Sequence, residues 1–212
     1  MPTKKYHHGD LKNALIKAGV DILAEEGVGG LSLRKVARKA GVSHAAPYAH
    51  FADKQALIAA ISTEGFRILD EQFSSIREKY QADPKRQLVE AAWTYVWFAQ
   101  TDPAHFRVTF SSAVEQEKNY PALVEMTVKS FGQVVQIVGA CQAAGLLRPG
   151  PLDLLAVSVW SVVHGFASLL IEGQISHTIL DRMTIREMLI FTLNQITLVP
   201  LDPGEFLDLP ER

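Results

Sequence analysis

The amino-acid sequence predicts an all-α protein: a three-helix N-terminal domain with a helix-turn-helix, joined by a long helix to a larger helical domain. Three observations predict it. Apolar residues recur at spacings of three and four from Leu11 onward. Capping Ser, Thr and Asp residues, with Gly and Asp-Pro stops, punctuate that pattern. No pair of alternating apolar runs joined by a hairpin turn interrupts it.

Each element follows in order. Leu11, Leu15, Ala18 and Ile22 line one face of a first helix, with Asp10 as N-cap and Gly27 as stop. Ser32 caps a second short helix that turns Val36, Ala37 and Ala40 inward and ends at Gly41. Ser43 caps a third helix running to Phe51, and Asp53 caps a long fourth helix reaching toward Gln81. Asp83-Pro84 and Asp102-Pro103 each set a capping Asp before a Pro at the first helical position. A further helix runs from Tyr120 or Pro121 to Ala144, with Gly145 as stop, and Arg148-Pro149-Gly150-Pro151 is a turn. Asp153 opens an apolar helix ending near Gly173. Thr184 and Glu187 form a T-x-x-E capping box for a last helix to about Val199. The tail from Pro200 to Arg212 is predicted to be extended. The domain boundary falls between residues 1–54 and 55–212.

Composition narrows the function classes. With 212 residues, 48% of them hydrophobic and 21% charged, the chain can bury a full core and is not a disordered tail. Cys141 is the sole cysteine, which excludes an internal disulfide, and no zinc-spaced Cys/His set is present. The polar start MPTKKYHHGD has no apolar core behind its lysines and predicts no signal peptide. No run of eighteen apolar residues is free of charge or strong interruption, which predicts no membrane span. Together these predict a cytoplasmic protein. The P-loop, G-x-S-x-G, H-E-x-x-H and dinucleotide patterns are absent, and neither Glu115, Glu117 nor Cys141 carries a sign of activation, so no enzyme, metal or cofactor is predicted.

The net charge of -2 is unevenly spread. Residues 1–54 hold nine Lys and Arg against five Asp and Glu, and the remainder hold twelve against eighteen. A basic head on an acidic body still attracts phosphate, because fields are screened over roughly 8 Å at physiological salt.

The segment Leu33–Lys54, LRKVARKAGVSHAAPYAHFADK, carries the most information. Two short helices about a Gly-containing turn, with small inward residues, make a helix-turn-helix pattern. Its string Ala37, Ala40-Gly41-Val42-Ser43, Tyr48, His50-Phe51 and Lys54 resembles the N-terminal domain of the TetR/AcrR family of repressors. That resemblance implies that Ser43 to His50 enter the major groove of operator DNA, with His44, Ala45 and Ala46 toward the bases. It implies that Arg34 reaches a guanine or a phosphate, that Ser32, Tyr48 and His50 contact the DNA backbone, and that Lys54 adds its charge to a helix dipole aimed at phosphate. Lys35, Arg38 and Lys39 read as a solvated charge run. The arm Lys4-Lys5-Tyr6-His7-His8 lies along the DNA or is a loose end. Pro47 departs from the family pattern, where an aliphatic residue is common. Lacking an N–H, it predicts a distorted or 3₁₀-like turn there.

The second domain resembles the effector-binding and dimerisation domain of a TetR subgroup through Asp102-Pro103-Ala104-His105-Phe106-Arg107 and Trp160-Ser161-Val162-Val163-His164-Gly165. Trp93, Trp97, Phe106, Phe110, Met126, Trp160 and His164 are candidates to line an effector cavity, or simply form core. The resemblance and the apolar patterning imply a homodimer through helices near 153–172 and 184–199. The resulting expectation is a repressor released from a palindromic operator by a small apolar effector. A ligand-dependent activator or corepressor-dependent repressor on the same fold, and a helical small-molecule binding protein without a DNA role, are the alternatives.

Overall fold

The computed structural model describes residues 8–206, with side chains from Leu11 onward. Expectations for the arm at residues 4–7 and for the end of the tail lie outside the described residues. Every regular element among the described residues is helical. The chain divides into two compact units: residues up to Phe66 together with Pro103–Thr127, and Arg67–Asp102 together with the residues from Val128 on.

In the first unit, helix α1 spans His8–Gly30, so Asp10 lies inside it and not at its N-cap. Gly27 stops the first helical run as expected: at φ 68, ψ -175 it is non-helical and divides His8–Gly30 into two helical pieces across a kink, a conformation that costs a glycine little. Helix α2 spans Leu33–Lys39, and Ser32 caps it as expected, its side chain accepting from the Lys35 N–H at 3.3 Å. Gly41, at φ 69, turns the chain after it. The third helix, expected from Ser43 to Phe51, is shorter, a four-residue turn Ala46–Ala49 with Pro47 at its start, and it has the 3₁₀ winding that Pro47 predicts. Ala46 N–H donates to the Ser43 carbonyl and Tyr48 N–H to the Ala45 carbonyl, both three residues back, and Pro47 has no N–H to offer. Asp53 caps helix α3, Lys54–Lys79, accepting from the Ala56 N–H at 2.8 Å.

Leu15, Val36, Leu57, Ile58 and Ile61 are fully excluded from solvent in this unit's core. Each such side chain contributes about 1.5–3 kcal/mol relative to exposure. Helix α5, Pro103–Thr109, packs on α1 and places Ala104 and Val108 in the same core. Buried His105 donates from Nε2 to the Ile61 carbonyl at 2.8 Å, and the Ser62 hydroxyl donates to the Val108 carbonyl at 3.3 Å. The 54/55 boundary read from the sequence therefore falls inside a unit that also recruits residues 103–127.

The second unit contains helix α4 (Pro84–Thr101), the rest of α3, helix α6 (Pro121–Ala143) from Val128, helix α7 (Leu152–Ile171), a short helix α8 (His177–Leu180) and helix α9 (Ile185–Asn194). Helices α4, α7 and α9 pack on one another. Asp83 caps α4 and accepts from the Arg86 N–H, with Pro84 opening the helix. The Thr184–Glu187 capping box starts α9 with both reciprocal bonds present. Helix α7 has Pro151 as its N-cap, and Asp153, expected to open the helix, sits in its first turn. Helix α9 stops at Asn194, short of Val199, because the Asn194 side chain accepts from the Leu201 N–H at 2.7 Å and donates to the Leu201 carbonyl at 3.0 Å. The tail is not extended at Pro203–Phe206, which form a 3₁₀ turn. The Phe206 ring lies 5.4 Å from the Arg86 guanidinium, and Lys85 pairs with Glu205 at 2.7 Å.

Helix α7 is long and apolar enough to cross a membrane by length and composition alone. Ala156, Val159, Val163, Phe166 and Ala167 on it are buried, whereas Leu154, Val157 and Leu169 are exposed. On α9, Met188 and Leu189 are buried within the unit, and Phe191 is 63% exposed.

Candidate functional site

The first unit displays its polar side chains around the α2 turn. Arg34, Ser43, His44 and Ala45 are exposed, and Tyr48 is 55% exposed. Ser32, Ala46 and His50 are half-buried, while Pro47 is buried beneath them. The short winding follows from Pro47: a 3₁₀ turn advances about 120° per residue, so side chains three apart eclipse. His50 Nε2 is buried without a hydrogen-bond partner, its ring 6.2 Å from that of Phe51. A buried polar atom left in that state costs free energy until an outside group satisfies it.

Three lysines of this unit are held at the end of α1. Lys35 pairs with Glu26, and Lys39 pairs with Glu25 at 2.5 Å. Those contacts hold the Glu26 carboxyl below the usual range, chiefly through the Lys35 hydrogen bond, and push the Lys39 ammonium up through its bond to Glu25. Lys54, expected on phosphate, donates to the Val28 carbonyl at 2.6 Å.

The seven aromatic and polar candidates for an effector site divide between the two units. Phe106, Phe110 and Met126 belong to the first, where the Phe110 ring lies tilted 4.9 Å from Phe106 and edge-on 5.3 Å from Phe66. Trp93, Trp97, Trp160 and His164 belong to the second. There Trp93 is buried with the Arg186 guanidinium 6.0 Å from its ring centroid, and Trp97 is half-buried. Trp160 and His164 are joined by a residue the sequence reading missed. The Trp160 indole N–H donates to the Tyr95 hydroxyl at 3.0 Å, and that hydroxyl lies 2.7 Å from His164 Nδ1. An indole is a donor only, so the phenol oxygen accepts from it and the phenol proton can go to an unprotonated Nδ1. Burial holds the His164 imidazole below its ordinary pKa, and burial pushes the Tyr95 phenol up despite the Trp160 bond. The Phe131 ring closes this cluster 6.3 Å from Trp160. A tyrosine inside an apolar stripe was the available signal, since a buried phenol needs a partner, but the partner sits on another helix.

Cys141 is buried and its thiol lies 3.2 Å from the Pro84 carbonyl, with burial, then Asp83, pushing it up to about 12. Among the described residues, no group of His, Cys, Asp and Glu is placed to hold a metal ion.

Comparison with known proteins adds to this geometry. Residues 15–61 match the description "Bacterial regulatory proteins, tetR family", and residues 88–193 match "Tetracyclin repressor-like, C-terminal domain". Over 50 residues the chain is 46% identical to the tetracycline repressor protein class A from transposon 1721 of Escherichia coli, a stretch that is 24% of this chain and 23% of that protein. A protein of unknown function from Rhodococcus sp. RHA1 is 31% identical, with TM-score 0.73 over 91% of this chain and 96% of that one. A tetR-family regulatory protein from Rhodococcus RHA1 superposes with TM-score 0.68 at 20% identity, covering 92% and 98%. A putative tetR-family regulator from Shewanella sp. PV-4 gives 0.69 at 16% identity, covering 89% and 99%; at such identities these two share the fold. With both halves of the chain matched, it belongs to the TetR family of bacterial transcription regulators, whose N-terminal domain binds DNA.

Proposed function

We propose that this chain is a ligand-responsive repressor that holds a palindromic operator as a homodimer and releases it when a small apolar effector binds. The observation that carries the proposal is the exposed set Arg34, Ser43, His44, Ala45 and Tyr48, carried on consecutive turns over a closed core. These types suit DNA: His44 and Arg34 donate to purine edges, alanine methyls meet thymine methyls, and hydroxyls meet phosphate. In this reading Ser32, Ala46 and His50 complete the surface.

The dimer is assigned to α7 and α9, where Leu154, Val157, Leu169 and Phe191 are exposed. A twofold axis makes such a patch self-complementary and spaces two reading heads for two half-sites. The effector is assigned to the aromatic cluster of the second unit about Trp160 and His164, with Trp93 and Trp97. An effector that binds better to a conformation with wrongly spaced heads shifts the population away from DNA. A cytoplasmic location goes with an operator partner.

Selection from random duplexes tests the reading. The expected result is a logo of two inverted half-sites that loses sharpness with His44→Ala or Arg34→Ala. A flat selection would favour a small-molecule binding protein without a DNA role. Tighter binding on adding ligands that occupy the second unit would favour a corepressor- or activator-type switch.

A further inference from the structure

Among the described residues, Asp70 is the one acidic side chain that the fold buries, at 3% exposure. It lies on the part of α3 that belongs to the second unit. A carboxylate leaves water at a cost unless both of its oxygens find partners. Both do: one pairs with the Lys129 ammonium at 2.7 Å, and the other accepts from the Gln133 side-chain amide at 3.0 Å. The Gln133 side-chain carbonyl in turn accepts from the Arg77 guanidinium at 2.6 Å. Asp70 and Arg77 are two turns apart on α3, so one face of that helix grips α6. Lys129 and Gln133 share a face of α6. Phe131, between them, is turned about 200° from Lys129 at 3.6 residues per turn. Its ring lies 6.3 Å from Trp160, whose indole donates to Tyr95 and through it reaches His164. A single turn of α6 therefore touches the aromatic cluster on one side and the buried carboxylate on the other.

We propose that Asp70 is a positioning residue through which the aromatic cluster acts on α3, the helix that opens at Lys54 beside the reading head. The inference rests on the DNA-binding and effector readings above. A ligand that displaces Trp160 displaces Phe131, and one helical turn does not move one face without the other. Asp70 cannot let its partners go without leaving a buried carboxylate unsatisfied, so α3 follows α6. Because the helix is continuous from Lys54 to Lys79, the shift reaches the end that carries the head.

The experiment is a double-mutant cycle that needs no effector. Full-length wild type, Trp160→Phe, Asp70→Asn and the double variant are each measured for affinity to the selected operator and for melting temperature without DNA. Trp160→Phe reshapes the ring against Phe131 and should change operator affinity at least about fivefold. On the Asp70→Asn background the same substitution should change it less than about twofold. If Asp70→Asn does not fold, Lys129→Ala replaces it in the cycle with the same loss of coupling expected, since the Lys129 side chain is 58% exposed. A merely structural Asp70 lowers the melting temperature and leaves the Trp160→Phe effect on affinity the same in both backgrounds. That result overturns the proposal, as does a Trp160→Phe variant with wild-type affinity. A wild type that binds no duplex fails the DNA-binding reading and takes the proposal with it, an outcome distinct from additive effects in a protein that binds.

Discussion

Tyr95→Phe removes a single oxygen and isolates what joins Trp160 to His164. The hydroxyl makes two hydrogen bonds, at 3.0 Å to the indole N–H and 2.7 Å to Nδ1, and Tyr95 is only 4% exposed. An intramolecular hydrogen bond contributes about 1 kcal/mol net, so the two together are worth about 2 kcal/mol. Trp160 is 36% exposed, so water can recover part of its lost bond, and the expected cost is about 1–2 kcal/mol. For a chain of this size each kcal/mol corresponds to about 2–4 °C, giving a melting temperature about 2–8 °C lower by calorimetry or circular dichroism. A second readout is specific to the bond. A phenol donating to Nδ1 favours neutral imidazole, so losing it should raise the His164 pKa followed by NMR. A variant that melts within 1 °C of wild type, with the His164 titration unmoved, would refute the linked arrangement.

Three further outcomes are expected. Phe191→Glu places like charges near the proposed twofold axis and should weaken the dimer at least about 30-fold in sedimentation equilibrium, and an unchanged association constant removes α9 from the interface. Thr184→Ala breaks the capping box of α9 and should cost about 1 kcal/mol, or about 2–4 °C in melting temperature, with no change in DNA affinity. Because burial lowers the His164 pKa, the unfolded chain takes up this proton first as pH falls. Its contribution to stability is therefore complete above the unfolded value of about 6.5 and is lost as pH drops through the lowered folded value. Denaturation midpoints at pH 7.5 and 5.5 should fall further apart for wild type than for His164→Gln.

What the sequence made legible was local. Ser32, Asp83-Pro84 and the Thr184–Glu187 box are caps that need only neighbours along the chain, and all three stand where their spacing places them. The elements that differed depend on contacts from farther away. Asn194 ends α9 early by reaching Leu201, and Phe206 docks the tail against Arg86, contacts no window of helical periodicity contains. Pro47 is the contrary case: its missing N–H could be read from the sequence and gives the 3₁₀ winding expected, although the segment is shorter than the Ser43–Phe51 span. The candidate site divides in the same way. The exposed residues from Arg34 to Tyr48 could be named from motif spacing. Charge counts, by contrast, do not distinguish an outward lysine from Lys35, Lys39 or Lys54, each held against the end of α1. Tyr95 escaped notice because its partners lie on α7, 65 and 69 residues away.

The most direct test of the account is the binding of the purified protein to its selected operator and to a scrambled duplex, by fluorescence anisotropy across a salt series. Specific recognition by the exposed set around Arg34, His44 and Tyr48 predicts operator binding at least about 10³-fold tighter than scrambled, with affinity falling steeply and linearly on a log–log salt plot. Equal affinity for the two duplexes, or none for either, would contradict the assignment of this face as a sequence-reading surface.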